Sequence, residues 1–366
     1  MEQKINLTDY GFNILQIEST AACNMACSFC PYPLKEDKRS KLDFIEIKKI
    51  LEKINPDDDQ FKYLTFSQFN EPLLDNRIFD ILELAKNMRF NTYFVTNGLL
   101  LNKEKNINEL LRLKPEIKIS MQVLDNSKHK TARGLNLELT KYLETIINFC
   151  KIAKDKDLKV NIDIGCNFND NKFKLYAKKF LGLGHGDSSV PDTLDETWKF
   201  LQPIIEKFYE IEGAKNKDEI KLFLKNSDDF KKIKNEYIYQ EGFKIFDNIK
   251  LKIKPFFYGN RIKDFFPIND NFSCDSKILA IQADGNIVPC CLAYDDTISL
   301  GNIKSSNFDL KNLLNNNTFL NNLRKKGSKK HITCKKCYGE PTKRGVFFRN
   351  LLNQFQFNRE NEYQNN

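Results

Sequence analysis

Two hydrophobic rhythms alternate along the first half of the chain. Ile14-Leu-Gln-Ile-Glu18 reads as a short apolar strand. Asp43-Phe-Ile-Glu-Ile-Lys-Lys-Ile-Leu-Glu-Lys-Ile54 then places apolar residues at helical spacing behind an Asp43 cap. The rhythm repeats: strand Phe61 to Phe66, helix Asp75 to Met88, and strand Asn91 to Val95 closing on the turn Thr96-Asn97-Gly98. A helix over Lys103 to Leu113, a strand over Ile117 to Val123, a long helix over Leu135 to Lys154 and a strand over Leu158 to Ile164 follow. Strands separated by helices predict a parallel sheet with right-handed crossovers. Ile249-Lys-Leu-Lys-Ile-Lys-Pro255 supplies a sixth strand. The predicted fold is α/β, a partial (β/α)6 TIM-type barrel, in which sites lie at the strands' C-terminal ends.

From Phe168 to Asn248 the barrel rhythm stops. Asp195 to Ile211 and Asp218 to Phe246 read as amphipathic helices, with a Gly-rich turn, Gly182-Leu-Gly-His185-Gly, before them. His185 reads as a loop residue. This insertion either covers the site's mouth and selects substrate or braces the outside. Further on, Ile278 to Cys290 reads as a β-hairpin turning at Asp284-Gly285. The predicted organisation is a barrel over 1–167, a helical insertion over 168–248, and a last barrel strand with linker over 249–270. A small domain over 271–340 and a C-terminal helix and tail over 341–366 complete it.

Composition narrows the setting. The 366 residues are 41% apolar and 12% aromatic, enough for one large domain and a smaller appendage. No apolar run reaches membrane-spanning length, and the N-terminus lacks a signal-peptide layout. A cytoplasmic protein with no membrane or nucleic-acid partner is expected, and there ten cysteines point to metal or redox work rather than disulfides. The formal charge of +9 suits anionic partners, or reflects general enrichment in Lys alongside 49 acidic residues.

The cysteines carry the chemistry. Cys23, Cys27 and Cys30 fall at C-x3-C-x2-C directly after the first strand, with Phe29 before the last and Pro31 after it. A cubane with four irons takes four thiolates, so three leave one iron without a protein ligand. Zinc is the alternative, but it wants four closed ligands, and no fourth cysteine or histidine lies nearby in sequence. At the other end, the hairpin brings Cys274 and Cys290 toward one another, and Cys334-Lys-Lys-Cys337 adds a C-x2-C pair. Four thiolates close a second site, for which structural zinc competes.

The first motif resembles that of the radical S-adenosylmethionine (SAM) enzymes. The resemblance implies that SAM chelates the open iron and is cleaved to a 5′-deoxyadenosyl radical that abstracts a substrate hydrogen. The second set, C-x10-G-x4-C and then C-x2-C, resembles the auxiliary-cluster region called SPASM in its shortened, twitch form. No cysteine follows Cys337, so the resemblance implies two four-iron (4Fe–4S) clusters, one binding SAM and one auxiliary.

Further contacts follow by resemblance, residue by residue. Glu71, in Ser67-Gln-Phe-Asn70-Glu71-Pro72, matches the end of a glycine-rich motif that binds the SAM amino group. Phe69 and Asn70 replace its glycines, and Asn70 can keep the turn in a left-handed conformation. Ser120 matches a serine near the ribose and carboxylate, and Arg133 an arginine that pairs with the carboxylate, which its fork suits. Phe29 and Tyr32 should border the adenine.

Three cysteines remain. Cys150 reads as core. Cys166, just past the fifth strand, and Cys291 are candidate hydrogen donors if the reaction is an epimerisation.

The expected substrate is a small polyhydroxylated or sugar-like molecule, oxidised or epimerised. Arg261 is a candidate cation near the carbinol, and an electron donor such as flavodoxin or ferredoxin is the implied partner. Peptide modification is the alternative. Many enzymes of that kind carry a leader-binding domain before the motif, whereas only 22 residues precede Cys23 here.

Overall fold

The computed structural model describes residues 4–136, 138–167, 172–183, 189–210, 243–255, 264–268, 277–290, 292–293, 298–315, 317, 320 and 331–351. The barrel strands are β1 (Ile14–Ile17), β2 (Tyr63–Thr65), β3 (Tyr93–Thr96), β4 (Glu116–Gln122) and β5 (Val160–Cys166). Between them run α1 (Phe44–Glu52), α2 (Ile78–Asn87), α3 (Glu104–Leu113), α4 (Asn126–Arg133) and α5 (Leu139–Lys154). Then come α6 (Lys172–Leu181), α7 (Leu194–Glu210), β6 (Phe243–Phe246) and β7 (Ile249–Pro255). The C-terminal region holds β8 (Ile278–Ile281), β9 (Asn286–Val288), β10 (Gly301–Asn302), α8 (Leu310–Asn315), α9 (Ile332–Cys337) and a helix over 343–351.

Strand order is β10-β9-β8-β1-β2 in one sheet and β3-β4-β5-β7-β6 in the other. A single parallel bridge, Leu64 to Thr92, joins the sheets beside β2 and β3. From β8 through β7 the pairings are parallel, with Ile14 opposite Tyr63, Ile117 opposite Val160 and Val160 opposite Ile249. Among the described residues no pairing joins β6 to β10, so the barrel is open. This is the partial TIM-type barrel that the strand–helix rhythm predicts.

Three local outcomes differ from the pattern. Phe243–Phe246, the end of a stretch expected to be helical, is a strand antiparallel to β7. The turn at Asp247-Asn248 reverses the chain, and both residue types favour such turns. The helix α4 has no counterpart in the hydrophobic pattern. Its Asp125 cap accepts the Ser127 N–H, and Gly134 ends it at φ +61°. The hairpin's first strand also pairs parallel to β1, Ile14 to Ile278 through Ile17 to Ile281, so the C-terminal region extends the barrel's edge.

Side chains alternate across each strand. In β4, Ile117, Ile119 and Met121 join a buried core shared with the surrounding helices. Ile162, Ile164 and Cys166 do so in β5, and Ile249, Leu251 and Ile253 in β7. Cys166 therefore belongs to the core behind the sheet and not to the barrel interior, which corrects its candidacy as a hydrogen donor. It has the same parity as Ile162 and Ile164.

Candidate active site

The cysteine loop leaves β1 at its C-terminal end and is clamped by the end of α4. Ala26 N–H donates to the Arg133 carbonyl at 3.3 Å, and Ser28 N–H to the Ala132 carbonyl at 2.9 Å. At Gly134, a Cβ would lie 2.5 Å from the Ala26 carbonyl oxygen, so the close approach requires glycine as much as the φ does. Within the loop, Cys30 N–H bonds the Cys27 carbonyl at 3.1 Å and the Tyr32 hydroxyl bonds the Cys23 carbonyl at 3.1 Å. Tyr32 N–H reaches the Cys30 Sγ at 3.4 Å, a donor aimed at a sulfur that must carry charge when it binds metal.

Cys27 is buried, and Cys23 and Cys30 are half-buried. Burial pushes the Cys23 thiol up to about 11 and the Cys30 thiol up to about 12, against the pull of Arg133 and backbone N–H groups. Among the described residues no three His, Cys, Asp or Glu side chains converge on a single-ion point. Thiolates that each bind a different iron of a cubane do not need one.

Arg133 is only 2% exposed, yet its Nε and Nη2 atoms have no hydrogen-bond partner. Its guanidinium lies 5.8 Å from the centre of the Phe29 ring, and its charge acts on Cys23, Cys27, Cys30 and Glu71. A buried guanidinium with open donors is costly unless an anion completes it. The SAM carboxylate or an anionic cluster is such a group, so the donor set fits.

Glu71 is also buried. Its Oε1 accepts the Thr96 hydroxyl at 2.9 Å and Leu73 N–H at 3.1 Å, and its Oε2 accepts Asn97 N–H at 2.7 Å. Burial nevertheless raises its pKa to about 7. Glu71 N–H in turn bonds the Ala22 carbonyl at 2.9 Å, which holds this loop to the cysteine loop. Asn70 does not adopt the left-handed backbone expected of it. It closes the turn through its side chain instead, accepting Gln68 N–H at 2.9 Å and donating to the Phe66 carbonyl at 3.1 Å. Asn97, not singled out from the sequence, links three parts: its Nδ2 bonds Asn24 Oδ1 at 2.7 Å and its carbonyl accepts the Tyr142 hydroxyl at 2.5 Å.

Ser120 lies on β4 opposite Asp163 of β5, just before a register shift at Gln122, whose φ is +58°. Bulges and left-handed non-glycine residues concentrate where a strand end serves a site. Tyr32 carries Lys38 over its ring at 5.4 Å.

The hairpin forms as predicted, but its loop is Ala283 to Gly285 rather than two residues. Gln282 N–H still bonds the Asn286 carbonyl at 2.8 Å, and Gly285 takes φ +93°. Cys290 follows β9 half-buried, and Cys334 and Cys337 sit half-buried one turn apart on α9. Cys150 is buried in α5, and burial pushes its thiol well up. Cys274, Cys291, Arg261 and His185 lie outside the described residues.

The faces of the strands opposite the core were not singled out from the sequence as a site. Gln16 of β1, Thr65 of β2, Lys118 and Ser120 of β4, and Asp163 of β5 share this inner face. Four buried oxygens here and at the strand ends have no hydrogen-bond partner: Gln16 Oε1, Thr65 Oγ1, Gln68 Oε1 and Asp163 Oδ1. A fully parallel sheet usually buries apolar runs on both faces. The alternation Ile249-Lys-Leu-Lys-Ile-Lys was the available signal that this interior is polar.

Comparison with known proteins agrees with this arrangement. Residues 17–180 match the radical SAM superfamily and residues 274–338 an iron–sulfur cluster-binding domain, SPASM. The chain belongs to the radical SAM superfamily, with a C-terminal SPASM domain. It is thus a radical SAM enzyme that uses a four-iron cluster with SAM, together with auxiliary iron–sulfur. Among solved structures, SuiB of Streptococcus suis bound to precursor peptide SuiA is 14% identical, with TM-score 0.50 over 87% of this chain and 69% of that one. BtrN in complex with AdoMet and 2-DOIA is 14% identical, with TM-score 0.47 over 91% and 93%. The protein anSMEcpe with bound AdoMet is 17% identical, with TM-score 0.47 over 84% and 81%. No curated protein matches the chain significantly. No helix among the described residues is long and apolar enough to cross a membrane.

Proposed function

We propose that the enzyme oxidises a small polyhydroxylated or sugar-like molecule held inside the strand array. Cys23, Cys27 and Cys30 would hold the first cluster, and Cys274, Cys290, Cys334 and Cys337 the auxiliary one. When bound, cluster and SAM supply a 5′-deoxyadenosyl radical that takes a hydrogen atom from carbon. Arg133 offers its two open donors to the SAM carboxylate, while Glu71 and Ser120 lie on loops and strands that face the same end of the barrel. Phe29 within the cysteine loop and Tyr32 just after it offer rings against which an adenine would stack.

One observation carries the substrate class: the orphaned oxygens of Gln16, Thr65, Gln68 and Asp163. Each leaves a buried acceptor that costs free energy until a donor fills it. Several hydroxyl groups on one small molecule supply such donors together. Oxidation of a carbinol removes a hydrogen atom, a hydroxyl proton and one further electron, and the auxiliary cluster is the proposed acceptor for that electron.

The test is anaerobic incubation with SAM, dithionite and a panel of polyols and sugars, scored for 5′-deoxyadenosine. A carbon-deuterated substrate should pass its label into that product and appear as a carbonyl compound. Turnover of a precursor peptide, with every polyol inert, would overturn this reading.

A further inference from the structure

The inner face of β4, β5 and β7 bears more positive than negative charge. Lys118, Lys250, Lys252 and Lys254 alternate with buried Ile117, Leu251 and Ile253, and only Glu116 and Asp163 share their face. Lys254 Nζ bonds Asp163 Oδ2 at 2.6 Å, and Glu116 Oε1 accepts from Asn161 Nδ2 at 2.9 Å. Lys118 and Lys252 form no ion pair among the described residues. The Lys118 ammonium instead rests over the Tyr93 ring at 3.7 Å, with the Tyr63 ring 5.7 Å away. Burial first, and then its neighbour Lys254, lower the basicity of Lys118, and the same two causes act on Lys252.

Half-buried, mutually repelling ammonium groups weaken a fold unless something gathers them. An aromatic ring meets one side of an ammonium and leaves its other donors open. A barrel interior that served packing alone would use apolar side chains on both strand faces. At the strands' N-terminal ends, an open cavity of about 670 Å³ is bordered by Tyr63, Glu116, Lys250 and Lys252, together with Asp155, Asp157, Lys159 and Asp247 of the adjoining turns. Of the inner lysines, Lys250 and Lys252 therefore face open space there, beside acidic neighbours.

We infer that Lys118, Lys252 and Lys254 seat an anionic oxygen group of the substrate, a phosphate or a carboxylate, inside the strand array. The inference rests on the proposed interior site and narrows its substrate to an acidic or phosphorylated polyol. Asp163 competes with the anion for Lys254, and its unpartnered Oδ1 remains for a hydroxyl of the same molecule.

Equilibrium dialysis of radiolabelled inorganic phosphate and of succinate against the reconstituted, SAM-loaded enzyme tests this. One probe should be retained, and which one tells phosphate from carboxylate. Lys118→Met, Lys252→Met and Lys254→Met should each weaken retention by about tenfold, the scale of one charge-assisted contact. Asp163→Asn should tighten it, a change of sign that misfolding cannot produce. Lys141→Met, on the exposed side of α5, should leave it unchanged, and circular dichroism with cluster absorbance verifies that each variant folds. Retention of neither probe, or equal retention by the Lys variants, overturns the inference. An enzyme that cleaves SAM but holds neither probe contradicts this seat alone. One that holds a probe through these lysines but oxidises no polyol contradicts the proposed reaction alone.

Discussion

Glu18 and Lys35 form an ion pair of 2.6 Å across the cysteine loop, between the end of β1 and the segment that follows the motif. Glu18 is fully buried and also accepts Phe69 N–H at 3.0 Å and Ala283 N–H at 3.3 Å. One carboxylate thereby joins the first strand, the loop after β2, the exit from the cysteine motif and the C-terminal hairpin. Removing one partner leaves an uncompensated buried charge. Glu18→Ala or Lys35→Ala should each lower unfolding free energy by about 3 kcal/mol or more. The double variant should cost less than the sum of the two. Denaturant titration of all four forms measures the coupling.

Gly134 makes the cysteine loop depend on α4. A Gly134→Ala side chain meets the Ala26 carbonyl oxygen at 2.5 Å, and its φ of +61° adds about 1 kcal/mol of strain. The expected outcome is selective loss of the SAM-binding cluster, with the auxiliary cluster kept. Iron analysis and electron paramagnetic resonance of the reduced protein distinguish the two centres.

Arg133 is predicted to act in opposite directions on folding and on binding. Arg133→Met removes a buried charge with open donors, so the protein free of cluster and SAM should be no less stable. SAM binding to the reconstituted enzyme should weaken by roughly 10- to 100-fold, the scale of hydrogen bonds to a charged group. Arg133→Lys should rescue it only in part, because an ammonium lacks the fork. Thermal unfolding and SAM titration check the two halves.

Glu71 gives a pH signature in the protein without SAM. Burial raises its folded pKa to about 7 from a reference of 4.5, so the folded state holds the proton more tightly than the unfolded one. Its contribution to stability is therefore complete below pH 4.5 and is lost as pH rises through 7. Glu71→Gln should remove this slope, so the stability difference from the parent protein changes between those limits and is flat above them. Denaturant midpoints across that range measure it.

The sequence displayed the barrel because its strands carry apolar residues on the core side and its helices follow at regular spacing. It did not display α4, whose eight residues include Ala132 as the one buried apolar side chain. The helix exists through its cap, its terminal glycine and its grip on the cysteine loop. Nor did local pattern reveal that Ile278–Ile281 pairs with β1, since strand partners far apart in sequence leave no mark in either segment. The two cysteine motifs were legible because spacing is a local property, and they fall within the two matched domains. The inner lysines stood in plain view in Ile249-Lys-Leu-Lys-Ile-Lys, but their meaning depends on which face points into the barrel. Only the assembled sheet fixes that.

Reductive SAM cleavage by cysteine variants tests the central claim most directly. With dithionite, the parent enzyme and a Cys334→Ala/Cys337→Ala variant should both release 5′-deoxyadenosine, and Cys23→Ala, Cys27→Ala and Cys30→Ala should release none. Cleavage that survives loss of any of those three thiolates, or its absence from the reconstituted parent, would contradict the account.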